Sequence, residues 1–213
     1  MNYINIINGG FYMIELLYRK IFLLLVLIIF SIGLMVPMII IRKKGKDSHG
    51  THEGYSILAR LSSATIFIWI INIVLFIFFY NLIELFWRFT FLSGDLFIII
   101  GMISIAIGTI VEILGMYSLG INFRIELPKE ETELITSGIY RVMRNPIAFG
   151  LFLIIGGTFL LIPNVLTLII TIANIIVFDA KVRDEEKFLL ARFGKPYEEY
   201  QNKVGRYFPF AIN

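Results

Sequence analysis

From Ile147 to Phe178 the chain reads IAFGLFLIIGGTFLLIPNVLTLIITIANIIVF, two apolar runs separated only by Pro163-Asn164. A proline next to an asparagine between such runs is a turn signal. Neither run shows the polar/apolar alternation of a barrel strand. In hydrocarbon, a continuous Ile/Leu/Phe segment satisfies its own backbone groups only as a helix. The stretch therefore predicts helices over Ile147–Ile162 and Val165–Phe178, closed into a tight hairpin. Each is shorter than the ~20 residues that cross a bilayer, so a tilted or partly inserted hairpin is expected.

Outward from this hairpin, three more apolar runs precede it: Ile21–Ile41, Leu61–Tyr80 and Leu96–Leu119. The composition fits a lipid solvent. Of 213 residues, 58% are apolar and only 16% charged, against roughly a quarter charged in soluble domains. The expected fold is an all-α integral membrane protein of about five transmembrane helices, with a C-terminal amphipathic helix on the cytoplasmic side. The run Ile21–Ile41 has spanning length and no small-residue cleavage site, which reads as a retained helix rather than a removed signal peptide. The chain has no cysteine, which excludes disulfides, thiolate metal sites and cysteine nucleophiles.

Five crossings place the connections Arg42–Arg60 and Gly120–Asn145, with the tail from Lys181, on one side. All 19 basic residues except Arg19, Lys20 and Arg88 fall there. The positive-inside bias then puts that side and the C-terminus in the cytoplasm and the N-terminus outside. The pI of about 9.1 comes from juxtamembrane flanks suited to anionic lipid, with no aromatic-basic face for nucleic acid. His49 and His52, near Asp47 and Glu53, read as a solvated loop, and no metal site is expected.

Polar signal is concentrated from Thr132 to Pro209. The expected division is a scaffold of helices and loops over 1–129 and a chemistry-bearing region over 130–213. Thr136-Ser137-Gly138-Ile139-Tyr140-Arg141-Val142-Met143-Arg144-Asn145-Pro146 leads into the fourth helix, with Pro146 suited to a first helical turn. After the hairpin, Lys181-Val182-Arg183-Asp184-Glu185-Glu186 and then Phe188, Leu189, Leu190 and Phe193 follow at roughly helical spacing, with Gly194 as a stop. This second piece reads as an amphipathic helix at the membrane surface. The plainer readings are a helix cap with an interfacial arginine at Arg144, a surface pair Lys181–Glu185 at i,i+4, and interfacial anchors at Tyr197 and Tyr200. Glu112 lies inside the third helix, where an ionisable side chain is a functional candidate by default.

Over about residues 130–209 these pieces together resemble the isoprenylcysteine carboxyl methyltransferase family and its phospholipid methyltransferase relatives. The matching residues are Gly138, Tyr140, Arg144, Pro146 and Gly150, then Lys181, Arg183, Glu185, Glu186, Phe193, Gly194, Tyr197, Tyr200 and Pro209. Three positions depart from the family pattern: Asn145 stands for histidine, Ala148 for tyrosine and Lys181 for arginine. Lys181 keeps the charge but lacks the bidentate fork. The resemblance implies an S-adenosylmethionine-dependent membrane methyltransferase acting on a lipophilic or lipidated acceptor, most simply by carboxyl O-methylation of an isoprenylcysteine-like group. It assigns Leu134, Ile135, Tyr140, Arg144, Asn145 and Pro146 to the cofactor. Lys181 and Glu185 would orient the acceptor and serve catalysis, and Glu112 would line a substrate tunnel. Phospholipid or other amine N-methylation is the alternative within the enzyme class, and an inactive scaffold or small transporter is the alternative outside it.

Overall fold

The computed structural model describes residues 3–43, 57–119 and 134–208. The helices are α1 (Tyr3–Lys43), α2 (Ile57–Phe78), the single turn α3 (Tyr80–Ile83), α4 (Asp95–Leu119), α5 (Pro146–Leu161), α6 (Val165–Phe193) and α7 (Lys195–Lys203). Among the described residues the only β pairing is an isolated bridge between Arg88 and Asn164. Four helices are long and apolar enough to cross a membrane, and α5 is a shorter apolar helix. The protein is a multi-pass membrane protein. His49, His52 and Pro209 lie outside the described residues.

Two expected boundaries differ. The helix that was expected over Ile21–Ile41 starts far earlier, and its membrane-length portion is Met13–Gly33. Arg19 and Lys20 are therefore part of the helix rather than flanks before it. The amphipathic piece from Lys181 is not a separate surface helix either, because α6 runs unbroken for 29 residues from Val165 through Phe193. Lys, Arg, Glu and Leu are good helix formers, so nothing in the polar half stops the helix until Gly194 at φ 57°. The short Lys195–Lys203 helix then turns away.

The tightest packing is between α4 and α5, which run antiparallel. Gly101, Gly108 and Gly115 form the face that α4 presents to α5, while Ile99, Ile103, Ile107 and Ile110 on the other side are exposed to lipid. A Cβ on Gly108 would stand 2.5 Å from the Gly150 carbonyl oxygen, and one on Gly150 would stand 2.5 Å from that of Gly108. Small residues let backbones touch where lipid offers no hydrophobic drive between helices. The Ser104 hydroxyl adds a bond to the Leu153 carbonyl at 2.8 Å.

On the other side of the bundle, α2 and α6 are joined by buried amides. Asn72 Nδ2 donates to Thr167 Oγ1 at 3.1 Å, and Asn174 Nδ2 to the Thr65 carbonyl at 3.2 Å. Asn164 Oδ1 accepts from Thr167 N at 2.8 Å, so the residue read as a turn marker also caps α6. Between the two pairs lies an apolar core that includes Leu23, Val26, Phe30, Trp69, Ile73, Ile105, Ile154 and Ile155.

Gly108→Ala forces α4 off α5 and should cost roughly 1–3 kcal/mol, read as a lowered unfolding temperature in detergent. Gly156→Ala, where a Cβ meets nothing within 4 Å, should be neutral or slightly stabilising. Equal losses in both would refute backbone contact as the basis of this interface.

Candidate functional site

The site is organised by one carboxylate. Glu186 lies on the buried stripe of α6 that passes through Thr171, Asn174 and Val182, and is itself 4% exposed. Its Oε1 accepts from Arg144 Nε at 3.0 Å and from Asn145 Nδ2 at 3.1 Å. Its Oε2 accepts from Arg206 Nε at 2.9 Å and Nη2 at 2.6 Å. The motif before α5, the polar half of α6 and the C-terminal segment thus meet on two oxygen atoms. Charge-assisted bonds of this kind are about twice as strong as neutral ones.

The motif segment and the C-terminal segment also bond directly. Arg144 N donates to the Gly205 carbonyl at 2.9 Å and Asn145 N to that of Arg206 at 3.0 Å. Arg144 Nη1 donates to the Gln201 carbonyl at 2.9 Å and also to that of Val204. Beyond these contacts the Tyr207 ring packs edge-on against Phe152 and that of Phe208 against Phe149. Tyr207 donates its hydroxyl to Asp179 at 2.9 Å. The tail therefore lies across the first two turns of α5 and the polar half of α6.

Tyr140 sits in a 3₁₀ turn, Gly138–Arg141, and is buried. Gly138 opens that turn at φ 62°, and a Cβ there would meet Ser118 Oγ at 2.6 Å, so both the angle and the close approach require glycine. Burial pushes the Tyr140 phenol up, and Tyr200 and Glu185 nearby push it the same way. It stays a neutral hydrogen-bonding ring. Tyr200 donates its hydroxyl to the Tyr140 carbonyl at 2.6 Å, and Tyr197 is 2% exposed. Of the two tyrosines expected as interfacial anchors, Tyr197 is buried and Tyr200 is half-buried. Their rings contact each other with centroids 6.0 Å apart.

The sequence-designated residues fall as follows. Leu134 and Ile135 are half-buried in the extended approach to the Gly138 turn. Pro146 is the first residue of α5, and Asn145 is its cap position but spends its amide on Glu186 rather than on the helix. Lys181 and Glu185 project together from α6, Nζ to Oε1 at 3.8 Å, with side chains 19% and 34% exposed. Glu112 is buried against Gly150 and borders a void of about 10 Å³ lined by α1, α4 and α5. That is about the size of one water, and neither Lys181 nor Glu185 lines it. Glu186 and Arg206 were not designated. Extending the buried α6 stripe by helical period reaches Glu186 and not Glu185, whereas nothing in the spacing marked Arg206.

S-adenosylmethionine joins a purine, a sulfonium and an amino-acid end. Of the residues expected to hold it, Leu134 and Ile135 are half-buried and the neutral Tyr140 ring stands near the Glu185 carboxylate. Removing the Glu186 carboxylate by Glu186→Ala leaves Arg144 and Arg206 unpaired. It should cost roughly 3 kcal/mol and expose the bonds after Lys203 and Arg206 to trypsin. Glu185→Ala should leave the unfolding temperature and the cleavage rate near those of the parent. Indistinguishable behaviour of the two variants would remove Glu186 from its organising place.

Comparison with known proteins matches residues 96–196 to the phospholipid methyltransferase family model. The protein-S-isoprenylcysteine O-methyltransferase of Saccharomyces cerevisiae is 34% identical over 123 residues, covering 56% of this chain and 52% of the relative. That of Xenopus laevis is 34% identical over 116 residues, covering 53% and 40%. A probable protein-S-isoprenylcysteine O-methyltransferase of Oryza sativa subsp. indica is 34% identical over 116 residues, covering 52% and 60%. The chain spans about half the length of these curated relatives.

Proposed function

We infer that this chain belongs with the isoprenylcysteine carboxyl methyltransferases and their phospholipid methyltransferase relatives, and that it shares their chemistry. It is an S-adenosylmethionine-dependent methyltransferase that esterifies the carboxylate of a lipidated acceptor of the prenylcysteine type. The observation that carries this reading is that the family match covers both sequence pieces, and that those two pieces meet on Glu186. Residues 130–213 carry the chemistry and residues 1–129 embed it.

When bound, the cofactor supplies an electrophilic methyl group on a sulfonium. The chain's part is alignment in a water-poor space, since a displacement needs donor and nucleophile in line more than it needs acid-base chemistry. Leu134, Ile135 and Tyr140 hold the cofactor, with Arg144, Asn145 and Pro146 fixing the turn beside it. Lys181 orients the acceptor carboxylate, and Glu185 keeps that ammonium in place. A carboxylate with an ordinary pKa near 4 is already anionic at neutral pH and requires no general base. Glu112 borders the small void between α1, α4 and α5, and its proposed part is a polar point on the acceptor's path there.

The protein with an N-acyl S-prenylcysteine and methyl-labelled donor should yield label released as methanol by base. Stable label on an added aminophospholipid would instead establish N-methylation. Lys181→Arg should match or exceed the parent, because the fork grips both carboxylate oxygens. Lys181→Ala should fall about tenfold or more in kcat/KM, the equivalent of one charge-assisted contact. Parent-like turnover in Lys181→Ala would move the acceptor site elsewhere. The orientation places the C-terminus in the cytoplasm, so a reporter after Asn213 should read inside and one between Asn81 and Asp95 outside. The same reading from both fusions would contradict five crossings.

A further inference from the structure

At the opposite end of α5 from the Glu186 network, ~24 Å away at 1.5 Å per residue, the bundle contains a cleft of about 300 Å³. Its floor is apolar, formed by Phe76, Ile83, Leu161 and Ile162. Its polar lining brings together Arg19 of α1, Tyr80 of α3, and Glu84 and Arg88 of the connection to α4, against Pro163 and Asn164 at the hairpin tip. The tip itself is fixed by backbone bonds, Phe89 N to the Pro163 carbonyl at 2.8 Å and Val165 N to that of Trp87 at 3.0 Å.

Arg19 is 3% exposed. One of its Nη atoms donates to the Leu161 carbonyl at 3.2 Å, and the other bonds Glu15. A guanidinium is costly at the edge of hydrocarbon, and helix-terminal carbonyls are met more cheaply by uncharged donors. Depth is marked by Tyr18 and Trp87, 64% and 79% exposed, the aromatic pair expected at a headgroup belt. The cleft therefore opens where lipid headgroups are concentrated, with two arginines and one carboxylate in its lining and an apolar floor. Its volume is at the lower end of small-molecule pockets.

We propose that this cleft binds the zwitterionic headgroup of a phospholipid of the adjoining leaflet, its phosphate drawn to Arg19 and Arg88 and its ammonium to Glu84. Phosphate meets a guanidinium by charge-assisted, often bidentate bonds, and Glu84, which is exposed at the rim, complements the amine. The lipid ties α1 to the hairpin tip beside the Arg19–Leu161 hydrogen bond. None of the residues assigned to methyl transfer takes part.

The protein, stripped of lipid in a phosphate-free detergent buffer, is titrated with dihexanoyl phosphatidylethanolamine, with dihexanoylglycerol or with inorganic phosphate, and thermal unfolding is followed. The phospholipid should raise the midpoint saturably by a few degrees. Arg88→Gln and Glu84→Gln, which alter rim side chains and should fold like the parent by circular dichroism and gel filtration, should each weaken the apparent affinity about fivefold, the loss of one charge-assisted contact. Neither dihexanoylglycerol nor phosphate should reproduce the shift. The proposal is overturned by no saturable shift with the phospholipid, by a shift that both variants retain, or by phosphate alone giving the same variant-sensitive shift, which would make the cleft a free-anion site.

Discussion

The Glu186 carboxylate is the constraint on which the candidate site depends. Four hydrogen bonds to its two oxygens join the Arg144-Asn145 motif and the Arg206 segment to α6. The hydrogen bonds to Glu186 push the Arg206 pKa further up from its already high ordinary value. Two cations and an amide surround one buried anion, and loss of that anion would leave both guanidiniums without their carboxylate in a low dielectric. The consequence is geometric. Tyr140, Tyr200 and the Lys181–Glu185 pair are held near one another by a side chain that need not touch any reactant.

That network stands on helices packed by a different rule. Lipid gives no hydrophobic reward for helix association, so α4 and α5 meet backbone to backbone at Gly108 and Gly150, and α2 and α6 meet through Asn72, Thr167 and Asn174. The first arrangement fixes the height of Pro146 against Gly115, and thereby where the motif turn emerges. The second orients α6, and with it the face that carries Glu186. A scaffold built this way converts small residues in the membrane into positions at its surface.

Much of the fold was legible because apolar runs of helical length leave few alternatives in lipid. Pro163-Asn164 marked the hairpin and Asn164 proved to cap α6. The misread boundaries lie where composition changes but helix propensity does not: Asp179 and Lys181 end the apolar run without ending the helix, and Glu15 and Arg19 lie inside α1. The candidate site was legible as a set of residue types and not as an arrangement. Glu185 and Glu186 are adjacent in sequence yet face different ways, 34% exposed for the side chain of one and 5% for the other. Arg206 gave no signal, because its role arises only when the tail returns to α6. Glu112 drew attention as a charge in an apolar run, and it borders a void of about 10 Å³ between α1, α4 and α5.

The central claim is that the motif turn, α6 and the returning tail together form a site for a sulfonium methyl donor. Isothermal titration of the detergent-solubilised protein with S-adenosylhomocysteine tests it without requiring knowledge of the acceptor. The account predicts saturable binding to one site per chain, weakened by Tyr140→Ala and left intact by Glu112→Gln. Absence of binding by folded protein, or binding indifferent to Tyr140→Ala, would contradict it.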